Sequence, residues 1–129
     1  MNEVGNCDAF QYVQAFEIEP DGTMWFADMG HVLPLDDDVV ACPPKIVWID
    51  YYSGEVTKVY EFPEEVAPLR ENHLNDMVLD ISDPEDKFAY FTDSHESTII
   101  VYSLKQDRSW KVYHPTMEAV DDVSDLEFV

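Results

Sequence analysis

The sequence predicts an all-β fold made of two tandem copies of a four-stranded antiparallel unit. Short runs rich in Val, Ile, Tyr, Phe and Trp alternate with polar residues, and turn-forming Pro, Gly, Asp and Ser separate the runs. The first four runs also align with the last four, with turns at matching positions. The eight predicted strands are residues 12–18, 23–28, 45–51, 55–62, 76–81, 87–93, 97–104 and 109–114.

The match between the two copies extends to single residues. Phe16 is matched with Leu79, and Asp28 with Asp93. Four antiparallel strands repeated in tandem are typical of β-propeller blades. A single eight-stranded sandwich, the alternative, explains the alternation but not the matched aspartates. We therefore predict a β-propeller fragment of two four-stranded antiparallel blades.

The repeat also gives the expected boundaries. Blade one is predicted at about 10–63 and blade two at about 72–115, in a single partial domain over 1–129. Residues 116–129 have the character of a lead-in to a further blade, so we expect a fragment of a longer propeller. Two blades alone would leave sheet faces uncovered, and self-association is then expected.

The chain is strongly acidic, with 28 acidic residues, 7 basic residues and a formal net charge of −21. Such a field repels phosphate and anionic lipid, so neither nucleic acid nor a membrane surface is an expected partner. It favours metal ions or protonated amines, or serves only to keep the surface solvated. No run reaches the ~18 apolar residues of a membrane span, and the first residues do not predict a signal peptide.

Polar side chains collect at one end of the predicted blades. The start of a blade's first strand and the end of its second share a face, which in blade two holds Asn75, Asp76, Asp93 and His95. Asn75 and Asp76 have three interpretations: they share a Ca²⁺-type ion, contact a cationic ligand in an apolar channel, or bond backbone groups. Asp93 and Asp28 are predicted to accept backbone N–H bonds in a turn. We also expect Asp93 and His95 to shape the rim.

The remaining motifs are few. Cys7 and Cys42 lie 35 positions apart and form no metal-binding pair, so one disulfide or two buried thiols both fit. The sequence shows no nucleophile motif and no phosphate-binding Gly-rich loop, and no catalytic residue is predicted. These residues favour a binding module over an enzyme.

Several segments resemble the major royal jelly protein/yellow family, in that family's order. They are Cys-Pro-Pro-Lys at 42–45, Phe-Ala-Tyr at 88–90, Ile-Val-Tyr at 100–102 and Ser-Trp-Lys-Val at 109–112. The resemblance implies a six-bladed propeller that is secreted and extracellular. It implies a channel that binds a small ligand such as a biogenic amine, linked in some members to dopachrome and pigment chemistry. It also implies that Cys7 and Cys42 are halves of family disulfides whose partners are absent here.

A broader resemblance, through "NDMVLDISDPEDKFAYFTDS" at 75–94, is to gluconolactonase-like six-bladed propellers. It implies that Asn75 ligates a divalent cation, which makes a Ca²⁺-dependent lactonase or hydrolase the alternative function. The first resemblance implies no cofactor. We therefore predict amine-type small-molecule binding by Asn75 and Asp76 with Asp93 and His95, and leave enzymatic activity open.

Overall fold

A computed structural model of the chain describes residues 3–32 and 40–119. Within them it has two four-stranded antiparallel sheets, each with its strands in chain order. The strands are β1 (Val13–Ile18), β2 (Thr23–Asp28), β3 (Lys45–Asp50), β4 (Val56–Glu61), β5 (Leu74–Asp80), β6 (Phe88–Asp93), β7 (Thr98–Ser103) and β8 (Arg108–Tyr113). The predicted all-β fold of two four-stranded units is confirmed.

A short 3-10 turn, Pro115–Met117, follows the second sheet. Most of the predicted lead-in lies outside the described residues, which end at 119. The domain boundaries therefore stay a prediction. The described residues contain no helix long and apolar enough to cross a membrane.

The core lies between the two sheets. Because side chains alternate along a strand, every second residue of β2 and β3 faces the second sheet. Trp25 and Trp48 meet there with ring centroids 4.7 Å apart, and Trp48 contacts Tyr102 of the other sheet at 5.6 Å. All three are at most 3% exposed. Each aromatic pair adds about 0.5–1.5 kcal/mol beyond the burial of its area.

A buried ion pair joins the sheets at the β1–β2 turn. Glu19 is only 5% exposed, accepts a hydrogen bond from Trp25 Nε1 at 2.7 Å, and pairs with the Lys87 ammonium that precedes β6. The carboxylate thus has one partner in its own sheet and one in the other. We call the Glu19–Lys87 contact the turn ion pair.

A second ion pair joins β4 to the turn between β7 and β8. Lys58 of β4 donates to Asp107 Oδ1 at 2.8 Å, and the Tyr102 hydroxyl donates to the same oxygen at 2.7 Å. These hydrogen bonds, the one from Lys58 foremost, lower the pKa of Asp107. Burial and the bond to Asp107 raise the pKa of Tyr102, which keeps its proton. We call the Lys58–Asp107 contact the edge ion pair.

The strand register corrects one detail of the predicted repeat. Asp28 and Asp93 correspond as expected, but Phe16 corresponds to Met77 and not to Leu79. The turn after β5 is longer than the turn after β1. The sequence comparison placed part of this length difference inside the strand, and it therefore matched Phe16 with a residue two positions too late.

Apolar side chains remain exposed on the outer faces of both sheets, away from the shared core. Phe16 is 58% and Val59 50% exposed on the first sheet, and Val78 is 59% and Val112 44% exposed on the second. Several large apolar side chains exposed on one face of a sheet favour association, because apolar faces on soluble proteins usually mark contact surfaces.

We expect the purified chain to self-associate through these faces, because association removes their apolar area from water. Light scattering after size exclusion should show species larger than a monomer. Phe16→Lys combined with Val78→Lys should shift the protein toward monomer. Val4→Lys, at a 61% exposed position outside the strands, is the control and should not. A monodisperse wild-type monomer would contradict the prediction.

Candidate functional site

The first strand of each sheet carries a one-residue β-bulge near its start. In β1 the pairing moves from Val13 opposite Asp28 to Ala15, which leaves Gln14 as the extra residue. In β5 the extra residue is Asn75, at the equivalent place. A bulge bends the strand and re-aims a side chain, and bulges are frequent beside functional sites.

The two bulged strands lie side by side. β1 packs against β5, as the first strands of neighbouring propeller blades do around a central channel. Both bulges lie at the end of the sheet where β2 and β6 finish. We call this end the channel mouth.

Asn75 and Asp76 are both exposed at the channel mouth. Asp76 Oδ1 accepts the N–H of Met77 at 2.8 Å, and the Asp76 N–H donates to Thr92 Oγ1 at 3.1 Å. Within 3–32 and 40–119 neither Asp76 Oδ2 nor the Asn75 amide has a hydrogen-bond partner. The predicted backbone-bonding role therefore explains one carboxylate oxygen of Asp76, but it does not explain the side chain of Asn75.

Asp93 lies beneath the mouth and is only 1% exposed. Its Oδ1 accepts the N–H groups of His73 and His95, each at 3.0 Å. In the first sheet Asp28 Oδ1 accepts those of Tyr12 at 2.9 Å and Gly30 at 3.0 Å. The predicted turn role of both aspartates is confirmed, while ligand contact by Asp93 stays a prediction.

The second carboxylate oxygens of these aspartates differ. Asp28 Oδ2 accepts the Gln11 N–H at 2.9 Å and lies 4.0 Å from Lys45 Nζ. In the second sheet Thr98 occupies the register position of Lys45. Asp93 Oδ2 and Thr98 Oγ1 are buried with no hydrogen-bond partner in the described part of the chain.

His95 is exposed in the turn between β6 and β7, and its backbone N–H is held by Asp93. A second histidine at the mouth, His73, precedes β5 and was missed by reasoning from the sequence. Its Nε2 lies 3.2 Å from Gln14 Nε2. The repeat contains a signal for it, because His73 aligns with Tyr12 and each lies two residues before the bulge of its sheet.

The cysteines require a correction. Cys7 and Cys42 form a disulfide with each other, so the implied pairing with partners absent from this chain is wrong. The segment before β1 crosses the start of β3, where Lys45 Nζ donates to the carbonyls of Cys7 at 2.6 Å and Ala9 at 2.8 Å. This crossing brings the two thiols together.

Metal binding by Asn75 stays a prediction. No group of three or more His, Cys, Asp and Glu side chains placed to hold a metal ion occurs among residues 3–32 and 40–119. An ion at the mouth would therefore need ligands from beyond these residues or from amides and carbonyls.

Most of the chain matches one protein family. The family model described as major royal jelly protein matches residues 12–128. The chain belongs to the major royal jelly protein family. The predicted resemblance is thereby confirmed.

Individual royal jelly family relatives are similar along most of this chain. Dopaminechrome tautomerase of Drosophila melanogaster is 30% identical over 109 residues, which cover 83% of this chain and 23% of the relative. Yellow-related salivary protein SP03B of Phlebotomus perniciosus is 26% identical over 110 residues, 77% of this chain and 27% of the relative. Protein yellow of Drosophila yakuba is 29% identical over 113 residues, 85% of this chain and 20% of the relative. The chain spans about a quarter of the length of these relatives.

Proposed function

We propose that this chain supplies part of a small-molecule site at the channel mouth, and that the site binds a protonated aromatic amine. The observation that carries the proposal is the bulge repeated at Gln14 and Asn75, which places an amide at the same point of both sheets. A bulge leaves a strand residue unpaired, and its repetition supports a role for the side chain it presents.

Charge supports a cationic ligand. Asp76 is exposed beside Asn75 and has a carboxylate oxygen that no described residue occupies. A hydrogen bond between an ammonium and a carboxylate is stronger than one between neutral groups, at about 1.5–3 kcal/mol. The net charge of −21 would raise the local concentration of a cation at the mouth.

The names of the relatives support the ligand class. One is a dopaminechrome tautomerase and another is Protein yellow, so we infer that the ligand is a catechol amine or a pigment-related derivative of one. The Cys7–Cys42 disulfide supports an extracellular location, because disulfides persist in oxidising compartments. Tautomerase activity is a proposal for the whole protein, and this chain contributes binding groups to it.

Calorimetric titration of the purified protein with dopamine and with 4-ethylcatechol, which lacks the ammonium, tests the proposal. Asp76→Asn should weaken dopamine binding about tenfold, equivalent to the ~1.4 kcal/mol of one lost charged hydrogen bond, and leave the neutral catechol unchanged. Asn75→Ala should weaken both ligands, because the amide can bond the catechol hydroxyls as well.

The matched control is Asp80→Asn, which removes an exposed carboxylate from the far end of the same strand. It changes the net charge equally and should leave dopamine affinity within about twofold. A parallel titration with Ca²⁺ tests the hydrolase alternative. The amine site would be contradicted if neither catechol gave heat. Tight Ca²⁺ binding that Asn75→Ala abolishes would then support a metal site in its place.

A further inference from the structure

His73 and Gln14 form a polar pair between the two sheets at the channel mouth. Gln14 Nε2 lies 3.2 Å from His73 Nε2, and both side chains are half-buried. An amide nitrogen only donates, so in this arrangement His73 Nε2 accepts and the ring proton is on Nδ1. The amide oxygen of Gln14 then has no donor among residues 3–32 and 40–119.

Two hydrogen bonds hold the backbone of His73 at the start of β5. The His73 N–H donates to Asp93 Oδ1 at 3.0 Å, and its carbonyl accepts from the Ser94 N–H at 3.1 Å. The first sheet builds the same frame around Tyr12, whose N–H bonds Asp28 and whose carbonyl accepts from Met29 at 3.1 Å. Because the frame needs only the backbone, the fold does not require an imidazole at this position.

We propose that Gln14 and His73 determine the specificity of the channel mouth for a cation. This inference rests on the amine site proposed above. Neutral His73 accepts a hydrogen bond from the side-chain amide N–H of Gln14. Gln14 Oε1 is then left to accept a hydrogen bond from the ligand's ammonium. Gln14 is a ligand-contacting residue in this arrangement, and His73 is a positioning residue.

Protonation of His73 reverses the arrangement. An imidazolium donates from both ring nitrogens, so Gln14 must turn its amide over and offer Oε1 to the ring. The amide N–H₂ group then replaces the oxygen on the ligand side, where it repels an ammonium. The added positive charge of the ring opposes the cation as well. Both effects weaken amine binding as the pH falls.

Other ionisable groups surround the pair, and the test must separate them from His73. On the elements that meet at the mouth, the ionisable side chains are those before and on β1, at the end of β2, before and on β5, and at the end of β6 with its turn: Tyr12, Glu17, Asp28, Arg70, Glu71, Asp76, Asp93, His95 and Glu96. Carboxylates ordinarily titrate near pH ~4 and imidazoles near ~6.5. A change in affinity between about pH 7.5 and 5.5 therefore reports a histidine, and the variants below distinguish His73 from His95.

Titration of the purified protein with dopamine at pH 7.5 and 5.5 tests the inference. Wild-type affinity should fall about fivefold or more at the lower pH. His73→Gln should remove that fall, because the Gln oxygen accepts from Gln14 at either pH. Gln14→Leu should weaken dopamine binding about fivefold at pH 7.5, remove most of the pH dependence, and leave 4-ethylcatechol unaffected.

His95→Gln tests the other histidine at the mouth. Whatever its effect on dopamine affinity at pH 7.5, the fall in affinity between pH 7.5 and 5.5 should persist in this variant. Long-range ¹⁵N–¹H NMR of the free protein gives an independent readout, in which His73 should show its proton on Nδ1. A proton on Nε2, or a fall in affinity that persists in His73→Gln, overturns the inference while the amine site stands. If wild-type protein binds no dopamine at pH 7.5, the proposed function fails and this inference fails with it.

Discussion

Asp28→Asn is expected to lower the free energy of unfolding by about 3 kcal/mol, whereas Asp93→Asn should cost about 1 kcal/mol or less. Asp28 uses both oxygens, since Oδ1 and Oδ2 each accept backbone N–H groups and Oδ2 also faces Lys45. An Asn amide group at that place would point a donor at the Gln11 N–H and leave Lys45 without a carboxylate.

Asp93 is the matched control for this change. It takes all of its backbone bonds on Oδ1, and its Oδ2 has no partner among the described residues. The amide introduced by Asp93→Asn can keep its oxygen on the backbone side and turn its N–H₂ toward Thr98, whose hydroxyl lies opposite in register. Urea denaturation followed by tryptophan fluorescence, at one fixed protein concentration, measures both variants. Equal losses of unfolding free energy in Asp28→Asn and Asp93→Asn would contradict this prediction.

Removal of the disulfide is the second large effect. Cys7→Ser with Cys42→Ser should lower the free energy of unfolding by about 3–4 kcal/mol, because the bond closes a loop with a sequence separation of 35 and restricts the unfolded chain. The bond also fixes the segment before β1 across the start of β3, where Lys45 bonds its carbonyls.

Thermal unfolding with and without a reducing agent checks this prediction. Reduction should lower the melting temperature of the wild-type protein toward that of the double variant and should leave the double variant unchanged. If reduced and oxidised wild-type protein melt at the same temperature, the disulfide contributes nothing to stability.

The strands were predictable because alternation in sequence reports which face of a strand is buried. The prediction was least accurate where the alternation breaks. The sequence predicts a fifth strand from residue 76, but the strand begins at Leu74, since the bulge at Asn75 interrupts the alternation and its polar residues resemble a turn. The same interruption marks Asn75 and Asp76 as candidate site residues.

Contacts between distant segments were not predictable. Gln14 and His73 are 59 positions apart, and no local pattern shows that β1 and β5 lie side by side at that point. The Cys7–Cys42 pairing likewise depends on where the segment before β1 crosses β3. Asp28 and Asp93 were assigned correctly because their role is local, with partners in the adjoining turn and opposite strand.

The turn ion pair and the edge ion pair have a geometric consequence beyond stability. They join the two sheets at separate places, one beside the β1–β2 turn and one between β4 and the β7–β8 turn, so together with the aromatic core they hold the sheets at one angle. In a closed ring these angles must add up to one full circle, and a small error in each accumulates around it. Charged contacts at the end of β1 opposite the mouth and near the outer strands thus help to set the angle at which one blade meets the next.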